Sequence, residues 1–148
     1  MTGEDAVERF EAADEVLSGQ TADVYFERAR AILRAEHLDP VVLMEVFARD
    51  GGILCGAAEV HAFLRRVLGP GNGHDPAPVV ESLADGDRFE PKEVVMRIEA
   101  RYSAYGLYET AVLGTLAQCS GWATAARHIV DAAAPLPVVG FGARHVPP

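Results

Sequence analysis

Cysteine is scarce in this 148-residue chain, which contains only Cys55 and Cys119. Two cysteines cannot build the multi-bridge framework of a small secreted domain, and neither belongs to a Cys-x-x-Cys pair. The scarcity excludes a disulfide scaffold and favours a reducing compartment. A chain of this length forms one domain and can bury a hydrophobic core without such cross-links.

Positive charge is also in short supply, because 13 lysines and arginines face 22 carboxylates and the formal net charge is −9. Nucleic acids and anionic membranes are bound through an attractive basic field, so we expect neither as a partner. The charge does not exclude a small phosphorylated ligand, which needs only a local basic pocket.

Long apolar runs are absent as well. No uninterrupted stretch approaches the roughly 20 apolar residues of a membrane helix. The N-terminus is acidic, whereas secretory and transit signals begin with basic residues; its carboxylates are Glu4, Asp5, Glu8 and Glu11. We therefore expect a cytoplasmic protein with no membrane partner.

The pattern of apolar residues predicts an α+β fold, with a small, mainly antiparallel sheet and helices packed on one side. Residues 1–20 are expected to form an acidic arm or a short helix. A helix is predicted from Thr21 or Asp23 to about Glu36, and its buried face should carry Tyr25, Ala29, Ile32 and Leu33.

Three strands and a second helix are predicted further along the chain. The strands cover residues 41–48, 79–83 and 93–102, and in the last of them apolar residues alternate with charged ones. A turn at residues 50–52 leads into the helix, whose apolar residues include Val60, Phe63 and Leu64. The segment 69–78 reads as a loop because it is rich in glycine and proline.

Residues 102–126 contain one carboxylate, Glu109, and no basic residue. Such an apolar stretch predicts two packed interior helices, at about 107–119 and 122–133. A short Val/Gly/Phe strand then carries Arg144 and His145. We expect residues 21–136 to form an α/β sandwich domain and residues 137–148 to be the first strand of a further unit.

Five separated motifs resemble the nicotinate phosphoribosyltransferase family. They are Asp-Val-Tyr-Phe-Glu-Arg from residue 23, Met-Glu-Val-Phe-Ala-Arg from residue 44, Tyr-Glu-Thr-Ala from residue 108, Ser-Gly-Trp-Ala-Thr-Ala-Ala from residue 120 and Phe-Gly-Ala-Arg-His-Val from residue 141. The resemblance covers residues 21–147 and extends more loosely to quinolinate phosphoribosyltransferases. His145 stands where that second group has lysine, which favours the nicotinate branch.

The resemblance implies an N-terminal sandwich followed by the first strand of an α/β barrel whose remainder lies outside this chain. It implies the joining of nicotinate to phosphoribosyl pyrophosphate, with ATP and Mg²⁺ as further ligands where the reaction is coupled to ATP hydrolysis. The partners it implies are nicotinate, phosphoribosyl pyrophosphate and either further copies of the chain, as a homodimer or higher oligomer, or a barrel-bearing chain.

The substrate-binding residues carried over by the resemblance are Tyr25, Arg144 and His145. Arginine at the end of a barrel strand can bind a carboxylate or phosphate through two hydrogen bonds; the alternative is a solvated basic pair. Tyr25 can stack on the pyridine ring in a neighbouring subunit, or it can be a core aromatic. Pro147 departs from the family pattern, which often has His-Pro there, and puts a second histidine contact in doubt.

Glu109 and Thr110 are predicted to be supporting residues. They can cap the helix that they begin, or they can position a ligand-binding arginine, and we favour the structural role. His61, His74 and His128 lack metal-ligand spacing and are predicted to lie on the surface.

Two classes of function stay open. One is the N-terminal part of a nicotinate phosphoribosyltransferase, inactive alone. The other is a non-catalytic assembly domain or remnant that needs a barrel-bearing partner.

Overall fold

A computed structural model describes residues 12–69 and 76–140 of the chain. The helices are α1 (Asp14–Leu17), α2 (Val24–Ala35), α3 (Ala57–Leu68), α4 (Tyr102–Tyr105) and α5 (Glu109–Ala133), with a 3₁₀ turn at Gly106–Tyr108. The strands are β1 (Val41–Phe47), β2 (Gly52–Ile53), β3 (Val79–Ser82), β4 (Arg88–Phe89) and β5 (Val94–Arg101).

The strands form two antiparallel sheets. The larger has the order β1-β5-β3, and the smaller pairs β2 with β4. The predicted α+β class with a small antiparallel sheet is confirmed. The two-residue strands β2 and β4 were not expected, because a pair this short carries no periodic signal in the sequence.

The central strand β5 shows the predicted alternation, since Met96, Ile98 and Ala100 are buried while Arg97 and Glu99 are exposed. Val95 departs from it and is buried as well. The pairing register with β1 skips Val95, which is therefore the extra residue of a β-bulge. The bulge turns two successive side chains towards the core.

The core lies between the inner face of the larger sheet and the helices α3, α4 and α5. α3 contributes Val60, Phe63, Leu64 and Leu68, as its apolar spacing predicts, and the start of α5 contributes Val112 and Leu116. The outer face of the sheet carries the exposed side chains Leu43 and Val79. Among the described residues, no helix has both the length and the hydropathy needed to cross a bilayer.

The start of α3 is held by a carboxylate from another part of the chain. Asp85, in the turn between β3 and β4, accepts the backbone N–H groups of Ala57 at 2.8 Å and Ala58 at 3.1 Å. The residue before the helix is Gly56, with φ of +93°, a conformation that side chains other than glycine's rarely allow. Asp85 thus satisfies two of the free N–H groups at this helix end.

The predicted buried face of α2 is wrong. Tyr25 and Ile32 are 56% and 63% exposed, whereas Phe26 is buried and Ala29, Arg30 and Leu33 are half-buried. Two aromatic residues in sequence allow two apolar stripes one position apart, and packing of Phe26 decides between them. The possibility that Tyr25 is a core aromatic is thereby overturned.

The prediction of two helices after residue 107 is also wrong, because α5 continues unbroken through Ser120 and Gly121. Gly121 faces open space, so it costs the helix only about 1 kcal/mol relative to alanine. Most of the second half of α5 is exposed, including Trp122, Ile129 and Val130. The expectation that this segment lies entirely in the interior therefore fails.

The two ends of the chain are described only in part. α1 is a short helix, one of the two forms expected for the arm, and the hydroxyl of Tyr108 donates to the Leu17 carbonyl at 3.1 Å. Residues 137–140 pair with no strand in the described part of the chain, and 141–148 lie outside it. The barrel strand therefore stays a prediction.

We predict that Asp85→Ala lowers the free energy of unfolding by about 1–2 kcal/mol, because two helix N–H groups lose their acceptor. Asp50→Ala is the control. Asp50 forms only a surface pair with Arg49, both side chains being more than 80% exposed, and its loss should cost less than about 0.5 kcal/mol. Urea unfolding followed by circular dichroism measures both variants, and equal losses would contradict the capping role.

Candidate functional site

The predicted site residues fall into two groups. Arg144 and His145 lie in the segment 141–148, outside the described residues. Tyr25, Glu109 and Thr110 are described, and they lie where the start of α2 meets the start of α5. We call the surface formed by Asp23, Tyr25, Tyr102, Glu109 and Thr110 the helix-start patch.

Thr110 joins the two helices of this patch. Its hydroxyl donates to the Asp23 carboxylate at 3.2 Å and accepts the Asp23 backbone N–H at 3.4 Å. Both bonds connect residues far apart in sequence, so they fix the beginning of α2 against the beginning of α5. Thr110 therefore supports the local structure around Tyr25.

Tyr25 presents its ring to solvent. The ring contacts that of Phe26 with centroids 4.2 Å apart and planes tilted by 42°, and the buried Phe26 anchors the turn of helix beneath it. Partial desolvation, followed by the negative charges of Asp23 and Glu109, raises the pKa of the Tyr25 phenol. The side chain is neutral at physiological pH and has an aromatic face free for stacking.

Glu109 lies in an unfavourable place for a carboxylate. Partial burial, and then the charge of Asp23, raises its pKa. Its own charge, after burial, raises the pKa values of Tyr102 and Tyr105. The patch is thus electronegative and aromatic, a combination that attracts a cationic group.

The sequence pattern indicates Asp23 as a possible helix cap and gives Tyr102 no role in the patch. Asp23 precedes the first residue of α2, and its carboxylate accepts a hydrogen bond from the Thr110 hydroxyl. Tyr102 begins α4 directly after β5, and its closeness to Glu109 depends on how that corner packs. Neither relation has a signal in spacing along the chain.

The histidines show no shared site. His61 lies at the surface as predicted but is half-buried; its Nε2 lies 2.9 Å from the Ser82 hydroxyl, and burial lowers its pKa. His128 is exposed, and His74 lies outside the described residues. Within residues 12–69 and 76–140, no three His, Cys, Asp or Glu side chains are placed to hold a metal ion.

A groove of about 550 Å³ lies between α5 and residues of β1, β4 and β5, together with the residues on either side of β2. Phe47, Leu54, Phe89, Leu113 and Leu116 provide its apolar lining. The two hydroxyls that line the groove are already bonded. The Thr124 hydroxyl accepts the Ile53 N–H at 2.9 Å, and the Ser120 hydroxyl accepts the Cys55 N–H at 3.0 Å. An apolar surface therefore fits this groove better than a charged ligand does.

We predict that Glu109→Gln raises the thermal unfolding midpoint at pH 7. A carboxylate whose pKa is raised by folding weakens the fold while it is ionised, so the substitution removes that penalty. The difference should shrink as the pH falls and vanish below about pH 4, where the carboxyl is protonated in both states. Glu27→Gln, in the first turn of α2, is the control. Destabilisation of Glu109→Gln at pH 7 would instead indicate that Glu109 stabilises its helix start.

Two of the solved structures that resemble this chain are nicotinate-nucleotide pyrophosphorylases. The crystal structure of nicotinate-nucleotide pyrophosphorylase from Pyrococcus furiosus matches with a TM-score of 0.78 and 38% sequence identity, covering 95% of this chain and 36% of that one. The nicotinate-nucleotide pyrophosphorylase from Francisella tularensis matches with a TM-score of 0.54 and 16% identity, covering 86% and 38%, which shows the fold alone. This chain spans little more than a third of either protein.

The matches support the type II phosphoribosyltransferases of NAD biosynthesis as a group, and they do not separate the nicotinate branch from the quinolinate branch. The preference for nicotinate drawn from His145 is therefore finer than the comparisons allow. Residues 23–120 match the family described as quinolinate phosphoribosyl transferase, N-terminal domain, and the chain belongs to that family.

Proposed function

We propose that this chain is the N-terminal part of a phosphoribosyltransferase that joins nicotinate to phosphoribosyl pyrophosphate, giving nicotinate mononucleotide and pyrophosphate. The observation that supports this proposal most directly is the match to the Pyrococcus furiosus nicotinate-nucleotide pyrophosphorylase over 95% of this chain. Because that match spans 36% of the relative, we propose that catalysis needs a barrel, supplied by a longer chain or a partner chain.

The charges of the described residues support the proposal that a barrel outside this chain binds the anionic groups of the substrates. Both substrates are anions, and the chain carries a net charge of −9. The helix-start patch would repel a free carboxylate or phosphate through Asp23 and Glu109. We therefore propose that phosphate is bound elsewhere, with Arg144 and His145 of this chain contributing at the end of a barrel strand.

Tyr25 is proposed to stack on the pyridine ring, across a subunit boundary. Its exposed ring can meet a flat ring in a neighbouring copy. Since Asp23 and Glu109 flank it, the substrate carboxylate would have to point away or be bridged by an arginine. An arginine held between Glu109 and the carboxylate of the substrate would satisfy both anions.

This model requires an oligomer, so a homodimer or a complex with a barrel-bearing chain is part of the proposal. The exposed apolar side chains of the outer sheet face and of α5 are consistent with a further surface packing there. The same surfaces also favour the second candidate, a non-catalytic assembly domain.

Quinolinate is the alternative pyridine substrate: the family description names it, and the relative's name specifies only a nicotinate nucleotide, which either substrate can give. ATP and Mg²⁺ belong to the proposal only as ligands of the completed enzyme. The described residues contain no group of three His, Cys, Asp or Glu side chains suited to a metal ion.

We predict that the purified 148-residue chain forms no nicotinate mononucleotide from nicotinate and phosphoribosyl pyrophosphate. A fusion in which this chain replaces the matching part of the Pyrococcus furiosus protein should form it. The product is measured by chromatography with nicotinate or quinolinate as substrate, and release of labelled CO₂ identifies use of quinolinate. Turnover by the isolated chain would refute the need for a barrel, and a folded fusion inactive on both substrates would favour the assembly domain.

Arg144→Lys in the active fusion should lower kcat/KM about ten- to hundredfold, a loss of roughly 1.5–3 kcal/mol. The reason is that lysine cannot reproduce the planar two-bond contact of a guanidinium with an anion. Arg97→Lys is the matched control, because Arg97 lies on the exposed sheet face and pairs with Glu45 at 2.9 Å.

Arg101, which the sequence places on the same face as Arg97, is a poor control because its Nη1 donates to the Asp39 carbonyl at 2.8 Å. Unchanged kinetics of Arg144→Lys would show that Arg144 is a solvated surface residue.

A further inference from the structure

The turn that joins β2 to α3 lies directly against the middle of α5. The backbone N–H of Cys55 donates to the Ser120 hydroxyl at 3.0 Å, and that hydroxyl donates to the Cys55 carbonyl at 3.2 Å. A Cβ atom added to Gly56 would lie 3.1 Å from Cβ and 3.3 Å from Sγ of Cys119. Residues 55–56 therefore touch residues 119–120 along their backbone and side chains.

This contact brings together both cysteines of the chain. Each thiol is free and half-buried, and each is the other's only possible thiol partner within the molecule, because the sequence holds two cysteines. Random placement on different elements would rarely bring two such residues into neighbouring positions. The Ser120 bonds hold the Cys55 backbone in place, so the pair is positioned before any reaction occurs.

We propose that Cys55 and Cys119 form a site of reversible oxidation, closing an intramolecular disulfide when the protein meets a small disulfide such as oxidised glutathione. In the first step one thiolate attacks the small disulfide, which gives a mixed disulfide and releases one small thiolate. In the second step the other protein thiolate attacks the mixed disulfide at the protein sulfur. The second small thiolate leaves, the bond between the two cysteine sulfurs forms, and the two thiol protons pass to solvent and the released thiolates.

Burial and the charges around the pair both slow this reaction. Asp85, from the turn between β3 and β4, and Glu59, on α3, both face the two thiols. Burial and then these carboxylates raise the pKa of Cys55, while the Gly56 N–H acts in the opposite direction. Burial, Cys55, Glu59 and Asp85 raise the pKa of Cys119. The thiolate is therefore scarce at neutral pH, and oxidation should be slow at pH 7 and faster at pH 9.

The disulfide would add a covalent link to a seam that now rests on hydrogen bonds. Thr124 and Ser120 of α5 already bond the backbone of the segment that contains β2 and the following turn. A cross-link beside them restricts the unfolded chain by closing a long loop, and it should raise the thermal unfolding midpoint by roughly 5–15 °C. This inference stands apart from the proposed transferase activity and does not depend on it.

The test uses the reduced 148-residue chain and oxidised glutathione, at pH 7 and pH 9, in native buffer and in concentrated guanidinium. Intact mass and peptide mapping without reductant follow the products. We expect loss of both thiols without retained glutathione, a Cys55–Cys119 linked peptide and full reversal by dithiothreitol. Closure should be at least about tenfold faster in native buffer than in guanidinium, because the fold positions the pair.

Cys55→Ser and Cys119→Ser should each stop at a single glutathione adduct. Ser120→Ala, which removes the bonds to the Cys55 backbone, should slow closure several-fold. Ser103→Ala is the control, since its hydroxyl bonds Asp39 at a separate corner. A glutathione adduct that persists on the parent chain, a disulfide between two chains, or closure as fast in guanidinium as in native buffer would each overturn the proposal.

Discussion

The structure depends on the seam that holds α5 against the segment from Ile53 to Gly56. Of the 25 residues of α5, only Val112 and Leu116 are buried, so apolar packing fixes the first half of the helix and little of the second. The hydroxyls of Ser120 and Thr124 continue the attachment by bonding backbone N–H groups of the turn. Leu54, between the two bonded residues, is 1% exposed and places that turn in the core. The seam thus determines where the groove lies and which faces of α5 stay open.

Much of this fold follows from local patterns in the sequence. The three longer strands and α2 are found close to their predicted bounds, and α3 buries the apolar residues that its spacing predicts. The failures are of a different kind. β2 and β4 exist only because they pair with each other, and α5 continues through Ser120 and Gly121 because both residues are compatible with its tertiary surroundings. Phe26 rather than Tyr25 is buried because the core selects one of two equivalent stripes.

The candidate site could be predicted less well than the fold. Motif resemblance named Tyr25, Glu109 and Thr110, and the structure brings these three residues together at the helix-start patch. The motifs could not reveal that Asp23 bonds Thr110, or that Tyr102 lies near Glu109, since those contacts come from the packing of separate elements. Arg144 and His145 rest on the resemblance alone. The proposed binding role of this pair therefore comes from the motif, whereas the surroundings of Tyr25 come from the structure.

The charges of the helix-start patch limit what this domain could contribute to the proposed enzyme. A site for two anionic substrates needs positive charge, and the patch supplies negative charge and aromatic surface instead. An exposed ring beside two carboxylates suits a flat ring together with a cation, so the patch is complete only when another surface brings the cation. The raised pKa of Glu109 has the same consequence, because a carboxylate with no salt bridge among the described residues gains most when a cation arrives. We propose that these charges make the patch complementary to a basic partner surface, whichever pyridine carboxylate a completed enzyme would use.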